Sequence, residues 1–136
     1  MTIEDDKRQA IIAYRIEQAK GLITEIDALI NSGSLIFAVN RIYYGMFYMV
    51  TALAIKNKFE TSKHQQLLGW FNKTFIKDEI IEHKYGEYIR KAYKNRVSGD
   101  YDTFIEFKKD EVLEMFEELK DFINVLDNFI NTIEQK

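Results

Sequence analysis

Between Leu35 and Ile55 the chain carries a single charge, Arg41, in 21 residues. A segment that long and that apolar has two physical outlets, a bilayer or the middle of a helical bundle. Arg41 stands near its middle, with Asn40, Tyr43, Tyr44 and Tyr48 in the same run. An unpaired arginine at mid-membrane is costly, so the bundle explains the run better and no membrane span is expected. As a helix over about 34–58 the segment is apolar nearly all round. It must be covered on several sides, which makes it the expected central helix.

The rest of the chain supports long helices. There is no proline and there are only 6 glycines in 136 residues, so few positions break a helix. A chain of this length is one domain by default and can bury a core without staples. With 46% hydrophobic and 30% charged residues the composition is globular rather than disordered. No cysteine occurs, which excludes disulfides and thiolate metal sites. That fits a reducing compartment, and the acidic start Thr2-Ile3-Glu4-Asp5-Asp6 does not resemble a basic signal region. A cytoplasmic protein is the expectation.

Periodicity then predicts the elements. Ile12, Ile16, Ala19, Ile23, Ile26 and Ile30 form one stripe of an amphipathic helix over about 3–30, closed by Asn31-Ser32-Gly33-Ser34. Ser62-Lys63-His64-Gln65 fits a capping box opening a third helix through Leu67, Trp70, Phe71 and Phe75. A fourth helix is expected over about 80–97, with Tyr85, Tyr88, Ile89, Ala92 and Tyr93 at helical spacing, ending in a turn at Ser98-Gly99-Asp100. The last helix is expected to open on a second capping box, Thr103 to Glu106. Its stripe runs from Val112 through Met115, Leu119, Phe122, Leu126 and Ile130 to Ile133. The fold class is therefore all-α, an up-and-down bundle of about five helices in one domain spanning 1–136. Either long helix could pair with a second copy.

Charge and motifs narrow the chemistry. The net charge of −3 argues against a dedicated DNA binder, yet residues 83–96 carry five Lys or Arg against one Glu. Tyr85, Tyr88 and Tyr93 interleave with that basic set. Such a pattern suits single-stranded nucleic acid, and a bundle core with a solvated basic face produces it equally. No nucleotide-loop, zinc-protease or nucleophile-elbow signature is present. With only His64 and His83 available, neither a metal nor a cofactor is expected.

Arg41 is the most informative residue. In the most buried element it must be paired internally or bound to an anion, because a bare buried guanidinium costs several kcal/mol. Tyr44 lies on the same face. Arg96, Asp100 and Tyr101 bring a fork donor, a carboxylate and a phenol into one stretch. Their plainer readings are a dipole-favoured arginine, a cap and a core tyrosine. His64 is read either as a surface histidine near a cap or as a cleft residue, and His83 as solvent-facing.

Asn40-Arg41-Ile42-Tyr43-Tyr44-Gly45-Met46-Phe47 resembles the N-R-x-Y-Y-x-x-F helix of the HEPN superfamily. Ser62-Lys63-His64-Gln65-Gln66-Leu67 resembles the S-H-x-x-L that follows it, with Lys63 inserted, and Arg96 to Tyr101 is similar to its R-x-x-x-D-Y ending. The resemblance implies a bundle of about five helices, commonly dimeric, with a polar cleft lined by the family arginine. It implies a minimal nucleotidyltransferase as a partner in a toxin–antitoxin-like system, and RNA or a nucleotide as ligand. Arg41, Asp100 and Tyr44 would bind, with Arg96, Tyr101 and His64 as catalytic candidates. Some members are metal-independent ribonucleases that use R-x(4–6)-H. In this chain Val97 follows Arg96, no histidine occurs after His83, and Tyr101 stands five positions on. A phenol with pKa near 10 is a poor base at neutral pH. A ribonuclease toxin and a non-catalytic dimeric interaction module are the alternatives.

Overall fold

The apolar run is a helix, and the other helices are arranged to cover it. The structure, a computed structural model, describes residues 2–132, so Ile133 lies outside the described residues. The elements are α1 (Ile3–Asn31), α2 (Leu35–Lys56), α3 (His64–Phe71), a π-helical turn (Asn72–Ile76), α4 (His83–Tyr101) and α5 (Lys109–Thr132). No strand occurs among the described residues, and no helix is long and apolar enough to cross a membrane. The fold is the expected all-α bundle.

α1 opens on a capping box in which the Thr2 hydroxyl accepts from the Asp5 amide and the Asp5 carboxylate accepts from the Thr2 amide. It closes at Gly33, whose φ of +80° is in the left-handed region that glycine tolerates best. Its predicted stripe is buried at Ile12, Ile16, Ala19, Ile26 and Ile30 and half-buried at Ile23. α2 buries half its length, from Ala38 to Ala54, and packs against α1, α5, α4 and α3. Its closest approach is at Gly45: a Cβ there would lie 2.8 Å from Leu119 Cδ1 of α5. The α5 stripe from Val112 to Ile130 is buried as expected.

Three boundaries differ from the sequence reading, each for a physical reason. The Ser62 capping box does not form. α3 starts at His64 after an extended Lys63, and Thr61 holds the entry instead, accepting from the Lys63 amide and donating to Gln66 Oε1. α4 begins at His83 and runs through the expected turn to Tyr101. Asp100 is tied one turn back to Arg96, and Gly99 lies against Phe107 and Ile36, so tertiary contact overrides the glycine. Thr103 to Glu106 consequently does not start α5, which begins at Lys109. Tyr101 and Phe104 are exposed rather than core residues.

Two glycine substitutions should report the packing with opposite signs. Gly45→Val drives methyls into Leu119 and should cost about 1–3 kcal/mol. Gly69→Ala, in a helix with nothing within 4 Å of the new Cβ, should gain up to about 1 kcal/mol. Urea melts with unchanged m-values check both.

Candidate functional site

On α2, Asn40, Arg41 and Tyr44 occupy the seam where α1 diverges from α4. Arg41 is not buried, contrary to the sequence reading: its side chain is 45% exposed, because this turn faces the seam rather than the core. Its Nε donates to Glu25 of α1 at 3.1 Å and its Nη1 to the Asn40 side-chain oxygen at 3.1 Å. The Asn40 amide in turn donates to both Asp100 oxygens, at 3.3 and 3.4 Å.

Arg96 is the better-enclosed arginine, with 19% of its side chain exposed. Its Nε donates to Asp100 Oδ2 at 3.1 Å and its Nη2 to the Tyr44 hydroxyl at 3.2 Å. The guanidinium carbon lies 5.6 and 5.4 Å from the ring centroids of Tyr43 and Tyr44, within cation–π range. Among the described residues no partner takes its Nη1, which leaves a charged donor nitrogen for a ligand oxygen.

His64 approaches from α3. Its ring stacks on Phe47 at 4.1 Å, and its Nδ1 is 2.8 Å from the Tyr43 hydroxyl. Burial, and then the charge of Arg96, hold His64 below the ordinary histidine pKa. Tyr43 is fully buried, and burial pushes its phenol pKa well up, so it keeps its proton. That proton has one acceptor within reach, His64 Nδ1, and a buried O–H left unpaired is expensive. The Tyr43 hydroxyl therefore donates, and His64 is the neutral tautomer with hydrogen on Nε2. In that state His64 carries a donor at Nε2, while the lone pair on Nδ1 is engaged by the Tyr43 hydroxyl.

The structure thus brings together Arg41, Tyr44, Arg96, Asp100 and His64 in one connected set. Tyr101 is 75% exposed and makes no side-chain hydrogen bond or ring contact to the set among the described residues. His83 faces solvent and pairs with Glu79 at 3.0 Å. Asn40, Tyr43 and Phe47 were missed as site residues, although all three stand inside the Asn40 to Phe47 motif. Among the described residues, no three His, Asp or Glu come together in a way that could hold a metal ion.

Residues 12–133 match the HEPN domain. A UPF0332 protein of Thermotoga maritima is 31% identical over 130 residues, which is 96% of this chain and 93% of that protein. A Methanocaldococcus jannaschii protein named as a candidate toxin is 43% identical over 96 residues, covering 71% of this chain and 65% of its own length. A second protein of that organism, also named as a candidate toxin, is 29% identical over 94 residues, 64% of this chain and 70% of its own.

The charge coupling between Arg96 and His64 is measurable. Arg96→Gln removes the positive neighbour, so the His64 midpoint should rise toward 6.5. In the native protein that midpoint is depressed, so below about 6.5 the unfolded chain binds the proton more readily. Stability should fall as pH drops from there through the folded midpoint, and fall less steeply in Arg96→Gln. Imidazole NMR in a His83→Gln background, with urea melts across the same window, reads both effects.

Proposed function

The chain belongs to the HEPN family, and from that premise we propose that it is a toxin-type member that binds RNA or a nucleotide through the Arg96 cleft. One observation carries this reading. A well-enclosed guanidinium, pinned by Asp100 and Tyr44 over two aromatic rings, keeps one donor nitrogen without a partner among the described residues, near enough to His64 for its charge to lower the histidine pKa. A guanidinium held in place with one nitrogen to spare suits a phosphate oxygen. Asp100 balances Arg96 in the free protein, so the ligand shares the arginine with Asp100.

The reading stops at binding. Tyr101 takes the fifth position after Arg96 but is exposed and makes no hydrogen bond or ring contact to the connected set among the described residues, and the Nδ1 of His64 is engaged by Tyr43. The toxin-type role draws support from the names of the two archaeal relatives. A homodimer and a minimal nucleotidyltransferase partner belong to the same reading. What favours them is exposed apolar surface: Phe37, one turn before Arg41 on α2, is 66% exposed, and Phe104 is 92% exposed.

The test is fluorescence polarisation with a labelled single-stranded RNA. Arg96→Ala should weaken binding by about tenfold or more, the worth of one charge-assisted hydrogen bond. It should also flatten the salt dependence by about one phosphate contact. The RNA should remain intact after incubation with the wild-type protein. Undiminished affinity in Arg96→Ala would remove the basis of the proposal.

A further inference from the structure

Of the five arginines in the chain, four meet a carboxylate: Arg8 meets Asp5, Arg41 meets Glu25, Arg90 meets Glu87 and Arg96 meets Asp100. Arg15 on α1 pairs with none among the described residues. Its Nη1 donates to the Gln18 side-chain oxygen at 2.7 Å. Its Nε is buried and has no hydrogen-bond partner. One other buried side-chain atom lacks a hydrogen bond, Glu118 Oε1, and that oxygen has the Lys91 ammonium at 2.7 Å. Arg15 therefore stands apart: a half-buried cation with no counter-charge and a spare donor. Buried donors are seldom left without an acceptor, because the loss of water is then uncompensated.

The position of Arg15 gives that spare donor a use. α1 and α2 run antiparallel, so that Glu25 meets Arg41 and, further along the pair, Arg15 meets Tyr48. The Arg15 guanidinium carbon lies 6.0 Å from the Tyr48 ring centroid and 5.8 Å from that of Tyr14, at the outer edge of cation–π range. The Tyr48 ring is 6.1 Å from the Tyr44 ring, and the Tyr44 hydroxyl accepts from Arg96. Phe37, Arg41, Tyr44 and Tyr48 follow one another at helical spacing on one face of α2, and none of the four is buried. On this open face of the otherwise covered helix, Arg96 meets Tyr44 from α4, and Arg15 meets Tyr48, one turn further on, from α1. An unbroken set of contacts joins the two guanidiniums.

We propose that Arg15 is a second anion-binding residue of the cleft, taking a phosphate oxygen of the same ligand that Arg96 holds, with Tyr48 as the floor between them. The inference rests on the phosphate-binding reading of Arg96. It places the ligand along the open face of α2, toward the start of α1, rather than ending at Arg96. Packing alone does not call for a charge at this position, since an uncharged stem would cover Tyr48 without leaving a buried donor unpaired. An incoming phosphate supplies both the missing acceptor and the missing counter-charge.

The experiment measures binding of a labelled oligouridylate by fluorescence polarisation across a salt series. Arg15→Gln keeps a polar stem and removes the charge, and circular dichroism checks that it folds. It should weaken binding about tenfold, the effect of one charge-assisted hydrogen bond, and lower the salt slope by about one phosphate contact. Arg15→Lys, which keeps the charge and does not depend on tolerance of glutamine, should retain the wild-type salt slope. Arg8→Gln makes the same change in net charge two turns earlier on α1 and should bind as the wild type does. Unchanged affinity in Arg15→Gln, while Arg96→Ala still weakens binding, overturns the role of Arg15 and leaves the Arg96 reading intact. Weaker binding with an unaltered salt slope makes Arg15 a packing residue and likewise overturns it. So does an equal loss in Arg8→Gln, which would be an effect of net charge alone. Wild-type protein that binds no RNA defeats both readings at once.

Discussion

The need to bury α2 on nearly every side governs the molecule. Ala38 through Ala54 contribute eleven buried residues from one helix, far more than a single neighbour can cover. α1, α4 and α5 are each placed by that requirement, and the approach at Gly45 lets α5 come close enough that Leu119 fills the gap. Three cylinders around a fourth leave seams. At the seam between α1 and α4 the sequence of α2 turns polar, with Asn40, Arg41 and Tyr44. The cleft is thus a by-product of covering α2 with long helices, and its polar side chains are the ones that need not be buried.

Within the seam, polar groups satisfy one another in a chain: Glu25, Arg41, Asn40, Asp100, Arg96 and Tyr44. Each link is a modest bond at partly exposed positions. Their joint effect is geometric, since Asp100 cannot move without disturbing both α2 and α4. The aromatic side of the site is stiffer. Tyr43 is fully buried and edges against Tyr44 and Tyr93, which fixes the hydroxyl that meets His64. Charge and burial then act in the same direction on His64, both favouring the neutral ring.

Much of this was legible in the residues. The stripes of α1 and α5 follow a period that no other structure would bury, and the apolar run could only be central. The connected site residues stand in motifs that the sequence displays. What could not be read depended on partners distant in sequence. Ser98-Gly99-Asp100 looks like a stop until Phe107 and Ile36 close on Gly99. Arg41 was judged by its helix, whereas its exposure depends on its face. Tyr43 is a core residue, but its hydroxyl matters only because α3 brings His64 to within 2.8 Å.

The modest anchoring of α3 has a dynamic consequence. It is eight residues long, has no side-chain cap at its N-terminus and ends in a π turn rather than a regular helix. A helix that short holds together through its packing rather than its own hydrogen bonds. Its amides should exchange through local opening, well below the free energy that protects α2. Each such opening carries His64 away from Tyr43. Arg41 and Arg96 stand on helices of 22 and 19 residues and the histidine of the cleft on one of eight, so opening of α3 should release His64 while leaving the arginine side in place.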